Sequence, residues 1–424
     1  MNSIEGFARP LQALPPTLRW LSAQQDVVRG TGTPLHRGRV GIMSDRIVSC
    51  ATFLHVARPL IAIANLVSIV GLYCWQFSFK PDGEPDNALF VGIAALREPS
   101  LVKEFEDLCG RKATRLDERD IRSFFAFQRV GLVALLREWL VVWQEIWPEL
   151  GDSAPTGLNS RLKLSFVLRA GYRFIYLRAW FRRYLKLRDG DLPIAFSAAS
   201  FNAAAAIAAG AKAIYFQHGF QRRSIVYPDF SAFYCFNRYE GEHFLSRLPK
   251  AKVIVRPEPL DIVNTERAML IAGVYGKLRT HELSHSIIEW ALKVGLPIIV
   301  RPHPADTTDY WKRWKNRTGI RIDNEHCDFD SFLLKVRPRL VVTWFSTTLF
   351  DAIKRGAVPV TLSEPGVDGG DVVFPFDRLA IRWPDEKAVI ERLINDPDAC
   401  VDLVREKYAD ATGALRCPQP QPAG

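Results

Sequence analysis

Pro297-Ile298-Ile299-Val300-Arg301-Pro302-His303-Pro304 is a short apolar strand that stops at a histidine bracketed by prolines. Proline lacks an amide donor and fixes φ, so a ladder cannot run through it. The residue before each proline is pushed to extended backbone. Further on, Leu340-Val341-Val342-Thr343 is another short apolar strand. It leads into Trp344-Phe345-Ser346-Thr347-Thr348 and a helix expected over 347–354. Both segments have the form of a buried parallel strand that ends in a polar loop.

The same alternation fills the chain from residue 192 onward. Strands are expected at 192–196, 213–216, 232–236, 253–255, 268–272, 297–300, 319–322, 340–343 and 357–362. Helices are expected between them at 200–210, 238–248, 281–294, 306–316, 329–336 and 347–354, then at 385–394 and 399–408. Such alternation implies α/β architecture with parallel sheets covered by helices on both faces. A loop with Pro257 and Pro259 interrupts it, so two doubly wound, Rossmann-like lobes with a cleft between them are expected. For 424 residues, at roughly 100–200 per domain, two domains is the natural count.

The expected organisation is a flexible arm over 1–38, an N-terminal lobe over 39–260 with a helical insertion, a C-terminal lobe over 261–412 and a disordered tail over 413–424. The arm contains Arg29-Gly30-Thr31-Gly32-Thr33-Pro34 and the tail contains Cys417-Pro418-Gln419-Pro420-Gln421-Pro422. Residues 100–187 read as helical, with one helix over Phe124–Trp147. The apolar run Pro59–Trp75 contains Asn65, Ser68 and Gly71 and is short for a membrane span of about 20 residues, so it reads as a buried core helix.

Hydrophobic residues make up 48% of the chain and charged residues 24%, which excludes wholesale disorder. The scattered cysteines, Cys50, Cys74, Cys109, Cys235, Cys327, Cys400 and Cys417, have no C-x-x-C spacing and read as reduced thiols of a cytosolic protein. No signal peptide is recognised in the first residues. The net charge is +10 and unevenly spread. Arg161, Lys163, Arg169, Arg173, Arg178, Arg182, Arg183, Lys186 and Arg188 fall in one stretch without an acidic residue, interleaved with Phe166, Tyr172, Phe174, Tyr176, Trp180, Phe181 and Tyr184. That stretch fits either peripheral contact with an anionic membrane or a helix with a solvated basic face and an aromatic core face.

In doubly wound sheets ligands bind beyond the carboxyl ends of the strands. Three polar clusters stand there: Gln217-His218-Gly219, Arg301-Pro302-His303-Pro304 and Ser346-Thr347-Thr348. The hydroxyls and free amides at a helix start suit a phosphate, and they equally suit an ordinary N-cap. His303, held between prolines, can donate to a phosphate that gains charge as a leaving group departs, and Arg301 can chelate it. Gly273 and Glu364, each just past a strand, complete the nucleotide-binding candidates. His218 is either a general base on an acceptor hydroxyl or a binding residue, with Gln217 and Gly219 supporting the acceptor side. Strands 297–300 and 340–343 are expected to lie close together. Asp189-Gly190-Asp191 and Asp328-Phe329-Asp330 read as turn and cap residues, so no metal and no cofactor are expected.

The Arg301-Pro302-His303-Pro304 loop followed by Ser346-Thr347 at a helix start resembles the HP and Ser/Thr motifs of bacterial GT-B glycosyltransferases that use CMP-activated sugars. These include the sialyl-, polysialyl- and capsule Kdo transferases. Gln217-His218-Gly219 is similar to a His-Gly element of capsule-locus transferases and of the teichoic-acid glycerophosphotransferases, which use CDP-glycerol. The resemblance covers residues 192–380. It implies that His303 contacts the nucleotide phosphate or leaving group, that Ser346 and Thr347 hold the phosphate, and that no metal is required. It further implies a CMP-linked donor, a glycan or lipid-linked acceptor, a role in capsule or lipopolysaccharide synthesis and work at the inner face of the cytoplasmic membrane. The acidic pair before glycine that supplies the base in sialyltransferases has no copy here. Asp82-Gly83 is a loop, which leaves His218, Glu258 or another acid as base. Three other readings compete: a glycerophosphotransferase, a basic nucleic-acid-binding protein resting on 161–188, and a catalytically inert transferase-like subunit. The first reading expects no nucleic acid.

Overall fold

The computed structural model describes residues 54–83, 87–92, 99–118, 120–147, 160–188, 192–198, 200–217, 227–235, 237–255, 260–272, 278–302, 310–323, 329–344, 346, 348–362, 373, 376–413 and 415. The expected arm over 1–38, most of the tail, Asp189-Gly190-Asp191 and Glu258 lie outside the described residues. So do His218, Gly219, Gly273, His303, Pro304, Thr347 and Glu364. The chain divides into two compact units, each built on a six-stranded sheet.

The first unit opens with helix α1 (Leu54–Trp75), followed by β1 (Ala88–Val91), α2 (Pro99–Cys109) and β2 (Ala113–Leu116). Helices α3 (Ile121–Phe127), α4 (Leu132–Ile146) and α5 (Ser160–Leu187) come next. Then follow β3 (Ile194–Phe196), α6 (Phe201–Ala208), β4 (Ala213–Phe216), β5 (Ala232–Cys235) and β6 (Lys252–Val255), while α7 (Arg238–Arg247), between β5 and β6 in the chain, groups almost wholly with the second unit. The sheet order is β2-β1-β3-β4-β5-β6, with parallel pairing from β2 through β5. Two of these strands were not expected: β1 and β2 fall before the alternation that the sequence displays. The helix expected over Phe124–Trp147 is two helices, broken at Gln128–Gly131.

Of the two readings of the basic aromatic stretch, its described part fits the helix with an aromatic core face. In the described half of α5, Phe174, Tyr176, Trp180, Phe181 and Tyr184 are buried core residues. Trp180 packs on Phe124 with ring centroids 5.2 Å apart and donates from Nε1 to Phe124 O at 2.9 Å. Such aromatic pairs each add about 0.5–1.5 kcal/mol beyond area burial. Tyr184 donates to Asn87 O at 2.8 Å, and burial pushes its phenol up to about 12. The acidic partners missing from α5 come from α4. Arg178 Nη1 reaches Glu145 at 3.1 Å, its Nε lies 3.1 Å from Glu138 off the hydrogen-bonding direction, and Arg182 Nη1 is 2.8 Å from Glu138. Arg173 donates to Glu118 O at 2.6 Å. With these aromatics interior, the described part of the stretch has no stacking platform for nucleic acid.

The run Pro59–Trp75 is corrected. It is helical, but only one face is buried: Ile61, Ala62, Asn65, Ile69 and Leu72 face inward. Leu60 is 61% exposed, Ile63 55% and Val67 66%.

The second unit runs β7 (Glu266–Ala272), α8 (Leu278–Lys293), β8 (Ile298–Arg301), β9 (Ile320–Ile322), α9 (Phe329–Val336), β10 (Pro338–Thr343), α10 (Thr348–Lys354) and β11 (Val358–Thr361). It ends with α11 (Phe376–Leu379), β12 (Ile381–Arg382), α12 (Lys387–Asn395) and α13 (Pro397–Thr412). Alternate residues of its central strands feed cores on opposite faces: Met269, Ile271, Leu340 and Val342 on one, Leu270, Ala272 and Val341 on the other. A strand buried on both faces shows a continuous apolar run, which is why these strands are visible in the sequence. Between β8 and β9 the helix expected over 306–316 is, in its described part, a 3₁₀ turn at Tyr310–Trp314.

The units part inside β6, between Val253 and Ile254, earlier than residue 260, and Cys235–Ser246 groups with the second unit. The bonds responsible are on α7. Arg238 donates to Asp410 Oδ1 of α13 at 2.5 Å, and Tyr239 donates its hydroxyl to the other carboxylate oxygen. The α/β class with two Rossmann-like units, expected from the sequence, is the architecture of the chain.

Candidate functional site

The second sheet has the order β12-β11-β10-β7-β8-β9, so strand order reverses between β7 and β10. At such a reversal the loops after the two strands diverge to opposite faces and leave a crevice at their carboxyl ends. Ile271 is in register with Val342, and Ala272 with Arg301. Thr343, Ala272 and Arg301 therefore stand in one row across three neighbouring strands.

Strands 297–300 and 340–343 are not neighbours, as β7 lies between them. With about 4.8 Å between strands, the backbones of Arg301 and Thr343 are about 10 Å apart. Side chains or a ligand must span that gap if both ends act on one molecule.

On the β10 side three hydroxyl residues, Thr343, Ser346 and Thr348, flank the turn into α10. Ser346 Oγ accepts from Thr348 N at 3.4 Å and Ser346 O accepts from Leu349 N at 3.1 Å, which is cap geometry. Thr343 Oγ1 and Thr348 Oγ1 are buried and have no hydrogen-bond partner among the described residues. A buried hydroxyl without a partner costs about 1–3 kcal/mol. Thr361 Oγ1 donates to Trp344 O at 2.6 Å and pins the turn from β11. Asp351 in the first turn of α10 is engaged by Lys354 at 3.2 Å. Thr343 was not singled out by sequence reasoning; its signal is a threonine closing an otherwise aliphatic strand.

Arg301, the last residue of β8, packs on aromatic rings. Its guanidinium lies 4.4 Å from the Phe332 ring centroid and 5.7 Å from that of Phe329. It thus leans over the sheet face covered by α9, the face that also carries Ile299. Of Asp328-Phe329-Asp330, Asp330 is bound by Arg355, whose Nε donates at 2.7 Å. Among the described residues no three His, Cys, Asp or Glu side chains gather as metal ligands. The described cysteines, Cys74, Cys109, Cys235 and Cys400, form no disulfide with one another.

The first sheet reverses between β1 and β3, a point hidden from the sequence because β1 was not recognised. Gly92 follows β1 and Ser197 follows β3. Ser197 N donates to Val91 O at 3.1 Å, and Gly92 N to Leu116 O at 3.0 Å. Gln217, directly after β4, is fully buried, and its backbone N–H donates to Tyr234 O at 2.9 Å. A Cβ at Gly92, where φ is +156°, would sit 1.9 Å from Ser197 Oγ. Gly92→Ala is therefore expected to destabilise the first unit by about 1–3 kcal/mol through overpacking. Urea denaturation checks it, and Ser197→Gly in the same chain should recover part of the loss. No change on Gly92→Ala would refute the close approach.

No protein-family profile and no curated protein sequence matches the chain. Solved structures do resemble it. The UDP-GlcNAc 2-epimerase from Neisseria meningitidis bound to UDP-GlcNAc is 11% identical with a TM-score of 0.46, over 77% of this chain and 96% of that one. S. aureus MnaA with UDP is 10% identical with a TM-score of 0.45, over 77% and 91%. The glycosyltransferase SnogD from Streptomyces nogalater is 13% identical with a TM-score of 0.42, over 77% and 96%. The likeness is one of fold.

Proposed function

We propose that the chain is a glycosyltransferase that takes a sugar from a nucleotide-linked donor, with the donor phosphate seated where β7 and β10 diverge. The observation that carries this reading is the pair of buried, unpartnered hydroxyls of Thr343 and Thr348 beside Ser346 at the start of α10. Unpartnered hydroxyls at a helix start, beside a strand-order reversal, favour an anionic ligand. The finer reading follows the motif resemblance. The donor is CMP-activated, of Kdo or sialic-acid type, and the acceptor is a glycan or glycolipid of a bacterial surface polysaccharide. His303 stabilises the leaving group and His218 serves as base. Ser346, Thr347 and Thr348 hold the phosphate without a metal, and Gly273 and Glu364 border the nucleotide.

Calorimetry with CMP, UDP and GDP, with and without EDTA, tests this. CMP should bind in EDTA and more tightly than UDP or GDP. Ser346→Ala should weaken nucleotide binding by about tenfold, the worth of one hydrogen bond to a charged group. Strict metal dependence or a preference for UDP would overturn the donor class. Binding of no nucleotide at all would overturn the transfer reaction itself.

A further inference from the structure

Helices α1, α4 and α5 pack on one another. In its described part α5 is the inner member, buried along Phe174–Phe181. α1 and α4 cover it, so their faces turned away from α5 look outward together. Those faces are apolar. On α1, Leu60, Ile63, Val67 and Val70 follow one another at helical spacing and are 61%, 55%, 66% and 39% exposed. On α4, Val133 is 81% and Leu140 52% exposed. Scattered exposed aliphatics need no explanation, but exposed apolar rows on two helices that pack together do.

We propose that this outer face of α1 and α4 rests on the surface of an anionic lipid bilayer, with α1 lying in the plane of the interface. By length and composition Pro59–Ser78 could cross a membrane. Its inner face argues for lying on one instead. Trp139 Nε1 of α4 donates to Ala62 O at 3.1 Å. Gln76, just past α1, donates to Val130 O at 2.8 Å, and its Oε1 accepts from Val130 N at 2.8 Å and from Tyr176 OH at 3.0 Å. A spanning helix would have to break these buried polar contacts, whereas an interfacial helix keeps them and immerses only its free face, about 5–10 Å deep.

Charge selects lipid over a second copy of the chain. The acids of α4, Glu138 and Glu145, are engaged by Arg178 and Arg182 of α5. Among the described side chains of α1, α4 and α5, the exposed charges are Arg137, Arg183 and Lys186, all basic. In a two-fold dimer the same patch meets itself, setting these cations against one another. Anionic headgroups offer the opposite sign, worth about fivefold in binding per well-placed cation.

The inference stands apart from the transfer reaction, because binding is scored without any donor. The full chain is floated with phosphatidylcholine vesicles and with vesicles that also contain phosphatidylglycerol, at low and high salt. It should float with the anionic vesicles and much less with the neutral ones. The triple variant Leu60→Gln, Ile63→Gln, Val67→Gln should lose about tenfold or more at both salt concentrations, with an unchanged melting temperature because these positions are exposed. Arg137→Glu with Lys186→Glu should abolish the preference for anionic lipid. Three results would overturn the proposal. The native chain could fail to float, the triple variant could bind as tightly as the native chain, or light scattering could show a dimer that the triple variant dissolves while neither form floats.

Discussion

Replacing Arg178 by alanine is expected to destabilise the first unit by about 3–5 kcal/mol, the usual result of stripping a buried ion pair of one member. The side chains of Arg178 and Glu138 are 5% and 4% exposed. Without Arg178, Glu138 keeps only Arg182, whose side chain is 33% exposed. Glu145 is less affected, being 28% exposed and open to water. Since whole domains hold only about 5–15 kcal/mol, the loss is a large share of the total. Arg178→Met with Glu138→Gln should recover more than half of it, because the stranded charge is then gone. Urea denaturation of the single and paired variants, monitored through the buried tryptophans, decides the matter. A single-variant cost below about 1 kcal/mol, or strict additivity of the two changes, would remove the pair as an organising contact.

The same pair shows where the sequence stops being informative. The stretch 161–188 has cations and no acids, so read locally its charge looks unneutralised. Its partners, Glu138 and Glu145, sit on a different helix, and local patterning cannot report a contact made by folding. The run Pro59–Trp75 presents the mirror case. Composition announces an apolar helix, but which side is covered depends on α4 and α5, so the exposed stripe of Leu60, Ile63 and Val67 was invisible. β7, β8, β10 and β11 were legible because strands buried on both faces are unbroken aliphatic runs bounded by glycine and proline. β1 is as apolar, yet four residues, Ala88-Leu89-Phe90-Val91, fit helix and strand equally. β2, with Arg115 exposed at the sheet edge, has no apolar alternation at all. Missing both strands concealed the reversal at Gly92 and Ser197. At the second reversal Ser346 and Thr348 stand out as hydroxyls at a helix start, while Thr343 passes as one more strand residue. Arg301 was assigned from its type, and its place over Phe332 depends on α9, which no local pattern conveys.

That displacement of Arg301 sharpens the test of His303. In the proposed reaction the leaving nucleotide phosphate gains negative charge in the transition state, and a preorganised donor aimed at it is worth about 10²–10³ in turnover. Two groups at the end of β8, Arg301 within it and His303 just after it in sequence, could fill that role. Arg301 is the stronger donor by chemistry, but its guanidinium lies against Phe332 on the α9 face. The proposed reaction gives the role to His303. With the nucleotide class selected by calorimetry, His303→Ala should lower turnover by about 10²–10³ while nucleotide affinity changes by no more than a few fold, as expected when an interaction forms mainly in the transition state. Arg301→Ala should behave differently. It removes a cation over an aromatic face, at about 0.5–1 kcal/mol of stability, and leaves turnover within a few fold. The two variants separate three cases. A large loss at His303 alone supports leaving-group stabilisation by the histidine. A large loss at Arg301 alone would mean that the guanidinium swings from Phe332 to the ligand, and the donor role would pass to it. Near-normal turnover in both would remove the whole Arg301-Pro302-His303-Pro304 segment from the chemistry and leave the hydroxyls of Thr343, Ser346 and Thr348 to act without it.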